Sequence, residues 1–213
     1  MLPSAPAQHA EPRRSLCDDL VQLESPALIG RLSAEQSACL EASLADAARP
    51  TDKKQISLLL IANANGKDDK RAWEALVQRH LRDIDRSDPD IGYAFAIHLA
   101  RKGPGRAESV IRWSDVALAS REKWTGERYK SRVYGLYKLR AAGANTLWRR
   151  AEENHAADPS DATDEAVRQT RRRLMTYSRD WYTLAKESGT DTTTPLQLCV
   201  SAAGTGAFCE DGG

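Results

Sequence analysis

Apolar residues recur along most of this chain at three- and four-residue spacing, the repeat that gathers side chains on one face of an α-helix. Leu40, Leu44 and Ala47 form one such stripe, entered through Ser33-Ala34-Glu35-Gln36, a capping-box pattern. Arg49-Pro50 stops that helix, and Thr51 or Asp52 is placed to cap the next. This second helix carries Ile56, Leu59, Leu60 and Ala64 and ends at Asn65-Gly66, where glycine accepts the left-handed conformation. Asp68 and Asp69 favour a new helix start, with Ala72, Leu76, His80 and Ile84 as its inward face. After Ser87-Asp88-Pro89 come a helix with small residues on one face, a break at Gly103 and a helix ending in Ala117-Leu118. Beyond Ser120 the pattern predicts one long helix or a tight pair from Trp124 to about Glu153, weakened but not broken by Gly135 and Gly143. Asp158 to Thr163 is a loop, with Ser160 or Thr163 as N-cap. The helix that follows runs to about Ser188, stripes Val167, Leu174, Tyr177, Trp181 and Leu184 along one face, and ends at Gly189. Thr190 to Pro195 is loop, and no segment alternates with the two-residue period of a strand.

The expected fold is therefore all-α: antiparallel helical hairpins stacked as a short solenoid, with long C-terminal helices. Residues 1–12 are expected as a flexible leader, 13–190 as a helical repeat domain, and 191–213 as a tail held by a disulfide loop. Two helix–turn–helix units, about 51–86 and 88–119, have lengths roughly in the mid-thirties, the period of helical repeat arrays. Gly103, Val110, Ser114, Ala117 and Leu118 fall at the turn, mid-helix and terminal positions of a tetratricopeptide repeat, which this segment resembles. Tyr93, Phe95, Ala96 and Leu99 resemble its first helix, and Asp88-Pro89 the proline closing the preceding repeat. Gly66 and Ala72 give that earlier repeat a weaker fit; the turn around Pro104-Gly105 is longer than the pattern, and Ser114 replaces an aromatic. The resemblance implies a groove between the first helices of successive hairpins that takes a peptide or a partner's helix. The candidate partner-binding residues are Tyr93, Ile97, Arg101, Trp124, Arg128, Tyr129 and Arg132.

Charge and cysteine usage narrow the setting. Lys and Arg number 31 against 30 Asp and Glu in 213 residues, so no global charge draws the chain to nucleic acid or anionic lipid. The longest apolar run, Ile56 to Ala64, is interrupted by Ser57 and Asn63 and is about half of the ~20 residues a membrane span needs. Met1 to Ala10 lacks the apolar stretch of a secretory signal, as a mature secreted chain with a new Met or a cytosolic end would. Folding 13–24 against 34–47 about Leu28 puts Cys17 and Cys39 at equal height on two antiparallel helices. Cys199 and Cys209 bracket a short run that a second disulfide can close. No Cys-x-x-Cys or interleaved His suggests zinc. Two disulfides place the chain in an oxidising compartment, periplasmic or secreted; buried free thiols in the cytoplasm are the alternative.

Recognisable catalytic chemistry is not found. Gly66-Lys67-Asp68 lacks the first Gly and the Ser or Thr of a phosphate loop, and Asp83-x-Asp85-x-Ser87 lacks the Gly and Glu of a calcium loop. His9, His80, His98 and His155 show no ligand spacing, and Glu152-Glu153 lie in a charge-rich helix end. No catalytic residue, metal site or cofactor is expected. Arg121, Lys123, Arg128, Lys130, Arg132, Lys138, Arg140, Arg149 and Arg150 are opposed within their segment by Glu122 and Glu127 alone. Trp124, Tyr129, Tyr134, Tyr137 and Trp148 are interleaved, and Arg171-Arg172-Arg173 add to the positive side. Core aromatics beneath a solvated cationic face give the plainer account. The expected function is a non-catalytic protein-binding scaffold; for a periplasmic or secreted chain, the resemblance to repeat proteins implies a part of a bacterial envelope assembly for motility, secretion or the outer membrane. A polyanion- or nucleic-acid-binding helical protein is the first alternative. An enzyme with a site between helices, near His80 and His98, is the second.

Overall fold

Helix starts leave backbone amides without partners, and at four of them a cap side chain, Ser33, Asp69, Asp88 or Ser160, takes one or two. The computed structural model describes Cys17, Leu20, residues 29–124 and residues 128–210, with the backbone alone at Arg128. The expected leader 1–12 lies outside the described residues, as do the 25–28 turn and most of the 13–24 helix. Every regular element among the described residues is helical. Two compact units divide the chain, Met1–Asp85 and Arg86–Gly213, so the 13–190 run spans both.

In the first unit, α1 (Ala34–Asp46) begins with the expected capping box: Ser33 Oγ accepts from Gln36 N at 3.1 Å, and Gln36 Oε1 accepts from Ser33 N at 2.9 Å. Helix α2 (Pro50–Gly66) starts earlier than expected, because Pro50 occupies its first turn and Arg49 stands at the cap position, its side chain accepting nothing from the helix amides. Thr51 and Asp52 are thus inside the helix, where Asp52 pairs with Arg49 at 2.9 Å. Gly66 ends α2, but the left-handed residue is Asp68, at φ 56°. Gly66 is needed for a different reason: the backbone of Gly30 and the Ile29 side chain lie where a Cβ would stand. Helix α3 (Lys70–Arg79) is capped by Asp69, whose Oδ1 accepts from Ala72 N at 2.9 Å. It runs on as a π-helical turn, His80–Ile84. The inward face is Trp73, Val77, His80 and Leu81, one position round from the expected stripe. Trp73 and Val77 take the interior, and Leu76 and Ile84 pack at its edge. The core joins Leu32, Leu40, Leu44, Ile56, Leu59 and Leu60, and buried Asn63 accepts from Leu32 N at 3.1 Å. Cys17 and Cys39 stand at disulfide distance, their Cα atoms 5.9 Å apart.

The second unit opens with α4 (Pro89–Arg101), where Asp88 Oδ1 accepts from Asp90 N and Ile91 N, each at 3.1 Å. Gly103, at φ 101°, turns the chain through a short 3₁₀ segment into α5 (Ala107–Ala119). Gly92 lies against Ala117, so the start of α4 meets the end of α5 and the pair is antiparallel. Helix α6 (Arg128–Ala157) is one continuous helix, and Trp124 stands before it instead of within it. Gly143 lets α6 approach Ile111 and the Ala107 carbonyl. Ser160 and Thr163 form a capping box for α7 (Asp161–Glu187), which ends at Gly189, φ 64°. Contacts at both ends, His155 with Thr163 and Tyr134 with Trp181, make α6 and α7 antiparallel.

The tail departs from expectation. It forms α8 (Thr193–Ala203) and a short α9 (Ala207–Glu210), and its buried Pro195, Cys199 and Ala202 make it part of the core. Arg171 Nε donates to the Ala202 carbonyl, and the Arg179 guanidinium lies 4.7 Å from the Phe208 ring centre. Apolar packing and these arginines hold the tail as well as the Cys199–Cys209 pair, whose Cα atoms are 6.0 Å apart.

Candidate partner-binding site

Four of the seven candidate residues meet around one guanidinium. Trp124 packs edge-on against Tyr93 and Tyr129, with ring centres 6.2 and 6.3 Å apart. Arg132, on the first turns of α6, lays its guanidinium over Tyr93 at 5.8 Å and Trp124 at 5.7 Å and pairs with Asp90 of α4. Tyr93 and Tyr129 pack on a core of Ala96, Leu118, Val133 and Leu136. Trp124 itself is 8 % exposed: its ring seats Arg132 and closes the core. Ile97 is half-buried and Arg101 exposed, one and two turns beyond Tyr93 on α4. Arg128 lies outside the described side chains.

A second guanidinium is held more deeply. Arg140 is 15 % exposed, with Nε 2.8 Å from Asp115 and Nη2 3.9 Å from Asp180, the former an ion pair without hydrogen-bond alignment. Its plane covers Tyr177 at 4.1 Å and Tyr137 at 5.4 Å. Arg173 pairs with Glu108 at 2.8 Å, and Tyr177 Oη donates to Asp115 at 3.4 Å. Burial raises the Asp115 carboxyl above its ordinary value, although Arg140 and Arg173 pull it down.

These acids change the charge count of the basic segment. Counted within 121–150, only Glu122 and Glu127 opposed its cations. Asp90, Asp115 and Asp180 come from other helices and engage Arg132 and Arg140, and Lys123 donates to Ser87 Oγ at 2.7 Å. The aromatics are likewise committed inward, Tyr134 against Trp181 and Trp148 against the Ile111–Leu174 core. Lys130, Lys138, Arg149 and Arg150 face solvent. A signal for Asp90 existed in the sequence, since it precedes Tyr93 by three residues and so shares its helix face.

The histidines have local roles. His80 is fully buried with Nδ1 3.0 Å from Ser57 Oγ, His98 stacks on Phe95 at 6.3 Å, and His155 Nδ1 lies 3.0 Å from Thr163 Oγ1. One hollow of about 320 Å³ has Arg150, Asn154 and the Glu108–Arg173 pair on its wall. Another, of about 530 Å³ in the first unit, contains Glu41, which Arg79 grips with two hydrogen bonds of 2.7 and 2.9 Å. Among the described residues no group of three His, Cys, Asp or Glu converges, and no helix is long and apolar enough to cross a membrane. No protein-family model matches this chain, and no curated protein or solved structure matches it either.

Proposed function

We propose that this chain is a non-catalytic protein-binding scaffold of tetratricopeptide-like hairpins, acting in an oxidising compartment as a periplasmic or secreted part of a bacterial envelope assembly. The observation that carries the reading is the direction of helix stacking in the second unit. Asp90 meets Arg132, and Tyr93 lies 3.6 Å from the Cβ position of Gly135, so α4 and α6 run parallel. Glu108 meets Arg173, and Asp115 meets Tyr177, so α5 and α7 also run parallel. First helix beside first helix and second beside second is how tandem helical hairpins stack. The α4–α6 seam carries Tyr93, Ile97 and Arg101, which supports a groove there.

Two cysteine pairs at disulfide distance support the oxidising compartment. Engagement of Arg132 and Arg140 by carboxylates leaves the polyanion alternative fewer cations than the bare count suggested. The test is in-cell photo-cross-linking from Ile97, with exposed Thr176 on α7 as the control position. A discrete protein adduct from Ile97 and none from Thr176 is the expected result; no adduct, or a nucleic-acid adduct, rejects the scaffold reading. Binding to heparin should be weak; tight binding that weakens steeply with salt would favour the polyanion alternative.

A further inference from the structure

Where α4 ends, a notch of about 260 Å³ opens between three helices. Ala100 and Gly103 form one wall, Ala107 and Val110 of α5 the floor, and Leu139 and Ala142 of α6 the other wall. No charged residue lines it. The volume falls below the ~300–1,000 Å³ of small-molecule sites and suits an inserted side chain. The notch is shaped by small residues: Gly143 already brings α6 within van der Waals limits of Ile111, and Ala100, Ala107 and Ala142 project a single methyl each.

The unpaired charge beside the notch has one sign, because the acid that follows Ala107, Glu108, is engaged by Arg173 at 2.8 Å. Arg101 follows Ala100, Arg106 precedes Ala107, and Lys138 lies one turn before Ala142. All three are exposed, and among the described residues none has a carboxylate partner. That contrasts with Arg132, Arg140 and Arg173, each engaged by an acid from another helix. An apolar floor inside an unneutralised basic edge is complementary to one kind of occupant. We infer that the notch takes an aliphatic side chain from an acidic segment of a partner protein. The inference rests on the scaffold reading and names the chemistry of its partner. Nucleic acid would satisfy the edge and leave the apolar floor unfilled.

The test pans a random-peptide phage library on the full, disulfide-bonded chain and measures selected peptides by fluorescence anisotropy. The expected peptides carry Asp and Glu around one Leu, Ile or Val and bind more weakly as salt rises. Affinity should fall about tenfold in Ala142→Trp, which fills the notch, and in the double variant Arg101→Glu, Lys138→Glu, which reverses its edge. Ala142 is exposed, so the larger ring need not enter the core. If Ala142→Trp loses helicity by circular dichroism, Thr146→Trp, one turn further along the same α6 wall, fills the notch and takes its place. Selected peptides that are basic or neutral, peptides indifferent to both changes, or no selected peptide at all overturn the inference. The scaffold reading fails by a different result, the absence of an in-cell adduct from Ile97, so the two failures are distinguishable.

Discussion

At the scale of single residues, the decisive groups are arginines clamped between carboxylates and aromatic faces. Arg140 sits over two tyrosines with Asp115 and Asp180 beside it, so its removal leaves acids without their counter-charge. Arg140→Met should lower stability by about 1–3 kcal/mol, read as a shift in urea midpoint at constant slope. An unchanged midpoint would assign the cluster no energetic role. Asp115 offers a second measurement. Because burial raises its carboxyl, the native protein holds that proton at a pH where the unfolded chain has released it. Its contribution to stability is complete below the unfolded aspartate value and declines as pH rises through the higher native one. Carboxyl-detected NMR should give Asp115 a midpoint above Asp83 and Asp191. Asp83 is lowered by its bond to Arg82, and Asp191 by bonds from Thr193. A midpoint for Asp115 below the ordinary aspartate value would contradict this account. These cations and rings were legible in the sequence; Asp115 and Asp180 were not, because they lie far from Arg140 along the chain.

At the scale of elements, caps and close approaches do the work, and they differ in how readable they are. Ser160 and Thr163 satisfy the first turn of α7 through bonds spanning three residues, so the motif could be read directly. Ser160→Ala should cost about 1 kcal/mol in thermal or chemical unfolding. The two glycines of α6 look alike in sequence and are not alike in space. A Cβ on Gly143 would stand 2.9 Å from Ile111 Cγ1 and 3.3 Å from the Ala107 carbonyl oxygen. Gly143→Val should therefore destabilise by about 1–3 kcal/mol. At Gly135 the nearest atoms are at ordinary contact distance, 3.6 Å, on the Tyr93 ring. Gly135→Ala should raise stability by up to about 1 kcal/mol, the usual gain from replacing a helical glycine. Equal effects at both positions would show that helix propensity alone governs α6.

At the scale of the whole chain, two units each bury their own apolar cluster, and each contains one cysteine pair at disulfide distance. Cys199 and Cys209 are separated by 10 positions, which in the chain-entropy account contributes about 2–3 kcal/mol. Intact mass before and after reduction should differ by the hydrogens of two bridges, and reduction should lower the unfolding temperature of the oxidised protein. A mass that does not change on reduction would remove the argument for an oxidising compartment. Thr190 to Pro195 reads as loop because proline stops an approaching helix, yet Pro195 stands in the first turn of α8, where its missing amide has no cost.

The order of amino acids by itself determined that this protein is helical, where most helices begin and end, and which cysteines stand at disulfide distance, because those features depend on spacing and on bonds a few residues long. Only the tertiary structure decided that Trp124 is core, that Arg132 and Arg140 answer to acids on other helices, and that the tail packs as helix. Charge pairing and burial depend on which surfaces come together in space, and contacts of that range leave no local pattern.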